Sequence, residues 1–216
     1  QDAAPDLDPE LVRAANEVAL AYVVTGDADV DRASEAGLRG VSQVLTQRTT
    51  VEPGEPIGID LDRDDLSLLT FLYWPVTDSQ PSPTPQAYVR LNHFLKSGGV
   101  ILFDTRDGDI AGLGGPDGSA ALQRLAAPLD IPPLAPIPPD HVLTRSFYLL
   151  QDFPGRYSGR DVWAEAPPPG CTRPRPFGYG TATAPRVAPA QRDVLAPLAQ
   201  LITWSLYGVD AWADLG

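Results

Sequence analysis

The sequence predicts a three-layer, doubly wound α/β domain with a mostly parallel sheet. Three observations carry that expectation. Short apolar runs rich in β-formers occur at 21–24, 66–76 and 99–104, stretches with helical spacing separate them, and turn residues mark the junctions.

Residues 1–10 are acidic and carry Pro5 and Pro9, which reads as a linker or the remnant of a leader. From Leu11 to Leu20, Leu11, Ala14, Ala15, Val18 and Ala19 recur on one side at helical spacing. Ala21-Tyr22-Val23-Val24 reads as a buried strand emptying into the turn Thr25-Gly26-Asp27. Val30, Leu38, Val41, Val44 and Leu45 mark an amphipathic helix over about 29–47, and Thr49-Thr50-Val51 is expected to start a second strand. Leu66 to Val76 is the most apolar run, consistent with a strand buried on both faces and ended by Pro75. Pro85 suits the first position of a helix whose apolar side is Ala87, Leu91, Phe94 and Leu95; Ser97-Gly98-Gly99 stops it. Gly99 to Asp104 is a further buried strand, followed by a small helix near 119–125.

This alternation is Rossmann-like or flavodoxin-like, and in such sheets ligands sit beyond the carboxyl ends of the strands. Three such ends can be named: Thr25-Gly26-Asp27, Tyr73-Trp74-Pro75 and Asp104-Thr105-Arg106-Asp107. The α/β unit is expected to span 11–165. Beyond it, 166–190 is an irregular Pro/Arg-rich segment, and 191–216 is expected to hold a C-terminal helix carrying Val194, Leu195, Leu198, Leu201, Ile202 and Leu206. No internal repeat is visible.

At 216 residues and 23.1 kDa the chain suits one mid-sized domain, and 43% hydrophobic content against 20% charged lets a core form. A formal charge of −12 and a pI near 4.4 argue against a non-specific nucleic-acid binder or a binder of anionic membranes. Cys171 is the only cysteine, which excludes an internal disulfide and a cysteine-based zinc site. There is no methionine, so the chain reads as processed or excised from something longer. Lys96 is the only lysine among sixteen basic residues, a bias that suits a GC-rich genome better than a demand for guanidinium chemistry.

YVVTGD at 22–27, VEPGEP at 51–56, LLTFLYWPV at 68–76, SGGVILFDTRDG at 97–108 and PPDHVLTRSFYLLQDFPGRY at 138–157 together resemble one bacterial family. It is the uncharacterised domain of unknown function 4159 family, and the resemblance covers about residues 20–165. It implies a fold related to class I glutamine amidotransferase-like domains. It also implies a setting in the bacterial envelope, as the soluble end of a membrane protein or behind a signal peptide. It implies no activity. Members usually continue past this point with a strand, a Gly-Asn-Asp-Trp-like turn and a helix, whereas this chain reads GCTRPRPFGYGTATAPRVAP. Net charge changes there from −13 over 1–165 to +1 over 166–216. Either a divergent loop or a slip of reading frame near residue 167 accounts for the change.

For chemistry, an amidotransferase needs a thiolate on a strand-to-helix elbow, but Cys171 lies in the irregular segment and the elbow-like site presents Asp104. No Gly-x-Ser-x-Gly supplies a serine substitute. Asp104, Arg106 and Asp107 could form a carboxylate pair with an arginine clamp, or Asp104 could simply cap the next turn. His141, with Asp140 before it and Arg145 after, could serve as a general base or start a helix capped by Asp140. His93 reads as a solvent or packing residue. Thr25-Gly26-Asp27 has one glycine, not the three of a dinucleotide loop. Tyr73 and Trp74 could floor a cleft or pack at the strand end, and Thr105 completes the rim.

These residues predict a non-enzymatic ligand- or protein-binding module without cofactor or metal, and the resemblance implies that it is associated with the bacterial envelope through an anchor or parent chain. The alternative is a hydrolase-type enzyme using Asp104, Arg106 and His141.

Overall fold

The structure, a computed structural model, describes residues 18–105, 118–132, 134–138 and 163–165. The elements are β1 (Ala21–Val23), α1 (Ala28–Arg48), β2 (Ile57–Ile59), β3 (Phe71–Pro75), α2 (Pro85–Lys96), β4 (Val100–Asp104) and α3 (Gly118–Ala126). A separate antiparallel pair joins β5 (Leu134–Pro136) to β6 (Trp163–Glu165).

Helix α1 begins because Asp27, in extended backbone, turns its carboxylate onto the Asp29 and Val30 N–H groups. Its buried positions Val30, Ser34, Leu38, Val41 and Leu45 recur every three to four residues, so one face meets the sheet. Helix α2 starts in the same manner, with the Thr84 hydroxyl accepting from Ala87 N–H and Pro85 in its first turn. It stops at Gly98, whose φ of 101° lies in the left-handed region that favours glycine.

β1 to β4 form one sheet in the order β2-β1-β3-β4, and every pairing is parallel. Alternation along each strand sends side chains to two cores. Leu72 and Trp74 join Ala87, Leu91, Phe94, Ala121 and Leu125 on the α2/α3 side. Tyr22, Phe71 and Tyr73 join Leu38, Val41 and Leu45 on the α1 side. The three layers and the doubly wound parallel sheet are therefore as the sequence predicts. Central β3 is buried throughout, which is why its sequence is apolar without alternation. Pro75 is tolerated there because its register partner on β4 is Asp104, while β1 has already ended at Val23. The ladder bond to β4 comes instead from Val76 N–H, to the Asp104 carbonyl at 2.8 Å.

Three expectations need correction. Thr49-Thr50-Val51 does not start the second strand; Thr49 ends α1, with its N–H and hydroxyl both donating to the Leu45 carbonyl. β-propensity there loses to helix termination, and the strand forms at Ile57–Ile59. Within 66–76 only 71–75 is strand, since Leu69 N–H closes a turn onto Leu66 carbonyl. Finally, the helical spacing of 11–20 does not persist to its end. Val18 bridges Pro53 in parallel, and Ala19 and Leu20 are non-helical. Residues 11–17, the expected helix after Asp140 and everything beyond Glu165 lie outside the described residues.

Candidate functional site

Parallel pairing brings the carboxyl ends of β1, β3 and β4 to one edge of the sheet, carrying Thr25, Pro75 and Asp104 to a common rim. Thr25 is 9% exposed and Asp104 is 8% exposed, so both reach the rim from inside the fold. The rim is built from what these groups already hold.

At the β1 end, the Asp31 carboxylate reaches back from α1 into the turn. Its Oδ1 accepts from Thr25 N–H and Thr25 Oγ1, both at 2.8 Å, and its Oδ2 accepts from Gly26 N–H at 3.3 Å. Thr25 Oγ1 in turn accepts from Asp27 N–H at 3.2 Å. Gly26 adopts φ 85°, which lets its N–H face that carboxylate. Amides at such a turn commonly cradle a ligand's anion; here a side chain of the protein fills the place.

At the β3 and β4 ends, Tyr73 Oη donates to Asp104 Oδ2 at 2.6 Å in a buried contact. The register explains the meeting. Tyr73 lies opposite Leu102, and Asp104 projects from the same face two residues on. Tyr22 stands beside Tyr73 across the β1–β3 pairing. Burial first, and then the charges of Glu35 and Asp31, push its phenol above the ordinary tyrosine value, against an opposing pull from Arg39. Gly58 lies under that ring, where a Cβ would come within 3.0 Å of the Tyr22 hydroxyl and of Val24 Cγ2. Trp74 points to the opposite face, is fully buried, and donates its indole N–H to Gln80 Oε1 at 3.1 Å. Its ring centroid lies 5.3 Å from that of Phe103.

The structure thus brings together Thr25, Gly26 and Asp27 in one turn, and Tyr73 with Asp104 in one contact. It places Trp74 in the core. Thr105 follows Asp104 at the rim and is half-buried. Arg106, Asp107, His141, Arg145 and Cys171 lie outside the described residues. Among the described residues no group of histidine, cysteine or acidic side chains is arranged to hold a metal ion. His93 is exposed and borders a shallow groove with Leu66, Val89, Arg90 and Phe94. That groove lies towards the amino ends of β3 and β4, opposite the rim.

Sequence reasoning missed Asp31, Gln80 and Tyr22. For Asp31 a signal existed, an acid in the first turn of a helix that follows a strand and a glycine turn. Nothing local marks Gln80, whose role depends on the loop after β3 folding over Trp74.

Order, crossover helices and rim together define a doubly wound α/β domain of the Rossmann or flavodoxin kind, which is a statement of architecture and not of chemistry. Within that class the chain belongs to the family described as Domain of unknown function (DUF4159), whose match covers residues 19–196. The match runs beyond residue 165, to which the resemblance of the quoted motifs extends. No curated protein matches the chain.

Proposed function

We propose that this domain is a non-enzymatic ligand- or protein-binding module of a bacterial envelope or membrane-anchored protein. The observation carrying the reading is the use made of Asp104. A carboxylate serving as general acid, base or nucleophile must meet a substrate atom. Asp104 is 8% exposed and already accepts the Tyr73 hydroxyl at 2.6 Å. The first turn supports the same reading, because Asp31 satisfies the amides that would otherwise receive an anionic ligand.

The alternative is a hydrolase using Asp104, Arg106 and His141, and it needs those side chains to converge on one reacting centre. The envelope setting rests on the likeness of the quoted motifs to bacterial family members. Among the described residues, no helix is long and apolar enough to cross a membrane, so attachment would come from another part of the protein.

The test has two arms. The full chain and its Asp104→Asn variant are assayed against chromogenic esters, amides, phosphate esters and glycosides. The module reading expects no turnover above buffer from either protein, and turnover abolished by Asp104→Asn overturns it. Fractionation of the producing cells with an antibody expects the chain in the membrane or envelope fraction. Recovery in the cytosol alone overturns the setting.

A further inference from the structure

We propose that residues 77–84, which join β3 to α2, form a strap that opens without unfolding the sheet and uncovers the indole edge of Trp74. Both ends of the strap are fixed. Before it, Val76 N–H donates to the Asp104 carbonyl at 2.8 Å. At its far end, Thr84 N–H and Oγ1 donate to Asp62 Oδ1 at 2.9 and 2.7 Å. Between these points one side chain is buried, that of Gln80, which accepts the Trp74 indole N–H at 3.1 Å.

The closed strap is held by groups that water can replace. Its buried anchor is an amide rather than an apolar side chain, so both sides of that bond find partners again on opening. Thr77 Oγ1 is buried with no hydrogen-bond partner among the described residues. Closure therefore keeps dry a hydroxyl that opening hydrates, which favours the open form. The latch comes from α3. Arg124 donates through Nη1 to Ser82 Oγ at 3.2 Å and through Nη2 to the Asp78 carbonyl at 3.3 Å, both in exposed positions. Those bonds are long and open to solvent, so they hold weakly. Ser82 also stands beside the Tyr88 hydroxyl. Pro81 and Pro83 stiffen the far half of the strap, which leaves bending to the turn at 77–80, where Gln80 N–H meets the Thr77 carbonyl at 3.3 Å.

The strap lies where such motion has consequences. β1 and β3 are neighbours, yet α1 follows β1 on one face of the sheet and α2 follows β3 on the other. Their carboxyl ends flank the point where the winding reverses, which is where ligands enter sheets of this kind. Opening adds two polar groups to that rim, the indole N–H of Trp74 and the hydroxyl of Thr77. Service as a gate rests on the reading of the domain as a binding module. The opening itself does not, and it is measured on the free chain.

Hydrogen exchange of the Trp74 indole N–H, read by NMR on the full chain at several urea concentrations below the unfolding transition, tests the strap. The indole should be protected about a hundredfold or more less than the Leu72 amide of central β3. Its rate should barely respond to urea, because a local opening exposes little surface. Arg124→Gln, which removes the latch, should speed the exchange about threefold or more. Thr77→Val, which removes the dry hydroxyl, should slow it by about the same factor. Asp31→Ala weakens the turn after β1 and not the strap, so it should leave the indole rate unchanged. Exchange with the urea dependence of Leu72 would overturn the proposal, as would an Arg124→Gln rate equal to the parent's. So would a Thr77→Val rate that fails to fall, or an Asp31→Ala rate that rises, since the indole would then be exposed by global unfolding alone.

Discussion

Replacing Tyr73 with phenylalanine removes one oxygen from the α1-side core and little else. The ring stays packed among Leu20, Tyr22 and Phe71 in the same cluster, so the apolar transfer term is nearly unchanged. What goes is the hydroxyl donor held 2.6 Å from Asp104 Oδ2, between side chains 4% and 8% exposed. That length lies at the short end for O–H···O bonds. Water cannot readily replace a donor at such burial, so the carboxylate loses a partner, at a cost of about 1.5–3 kcal/mol. In a chain of this size the loss should lower Tm by about 3–12 °C. Urea unfolding followed by tryptophan fluorescence measures it. Tyr73 and Asp104 each have further interactions, so the single variant alone cannot isolate the bond. A double-mutant cycle with Asp104→Ala can, because alanine leaves no acceptor, and a coupling of about 1 kcal/mol or more is expected. Additive effects, or a Tyr73→Phe cost below about 0.5 kcal/mol, would show that the contact is incidental and would remove the main support for a structural role of Asp104.

Other perturbations should follow from the same contacts. Gly99→Ala would drive a Cβ into the Phe94 ring, which is 2% exposed. Differential scanning calorimetry should show a loss of about 1–3 kcal/mol, with part recovered on adding Phe94→Leu. Gly58→Ala meets only Tyr22 Oη, Tyr22 Cζ and Val24 Cγ2 at 3.0–3.1 Å, so its cost by the same measurement should be smaller than that of Gly99→Ala. Asp31→Ala leaves Thr25 N–H, Thr25 Oγ1 and Gly26 N–H without their acceptor. It should cost about 1–2 kcal/mol in urea unfolding, comparable to losing a helix cap. Asp62 is held below the ordinary carboxylate range, chiefly by the Thr84 N–H and then by the Thr84 hydroxyl. Its contribution is therefore present above the unfolded value and lost as pH falls through the lower folded value. Asp62→Asn should flatten the acid limb of Tm measured from about pH 5 to 2.

Much of this fold is legible in the chain because its signals are local. Thr25-Gly26-Asp27 turns the chain out of β1, Pro85 opens α2 and Gly98 closes it. Strand–helix–strand spacing then forces parallel neighbours, since a crossover helix returns the chain to the same edge. The second strand was misplaced because Thr49-Thr50-Val51 has the composition of a strand, while the helix before it continues to Arg48 and takes Thr49 as its cap. The partnership of Tyr73 with Asp104 spans thirty-one positions. It exists only because the register sets Tyr73 against Leu102, and no periodicity in either segment encodes that offset.

By itself the sequence determined the class of fold and the rim where the strands end, because periodicity and turn residues act within a few residues. Only the tertiary structure decided which polar groups at that rim are already engaged. Asp31 fills the first turn, Gln80 seals Trp74, and register sets Tyr73 beside Asp104. Those are set jointly by distant segments as they pack.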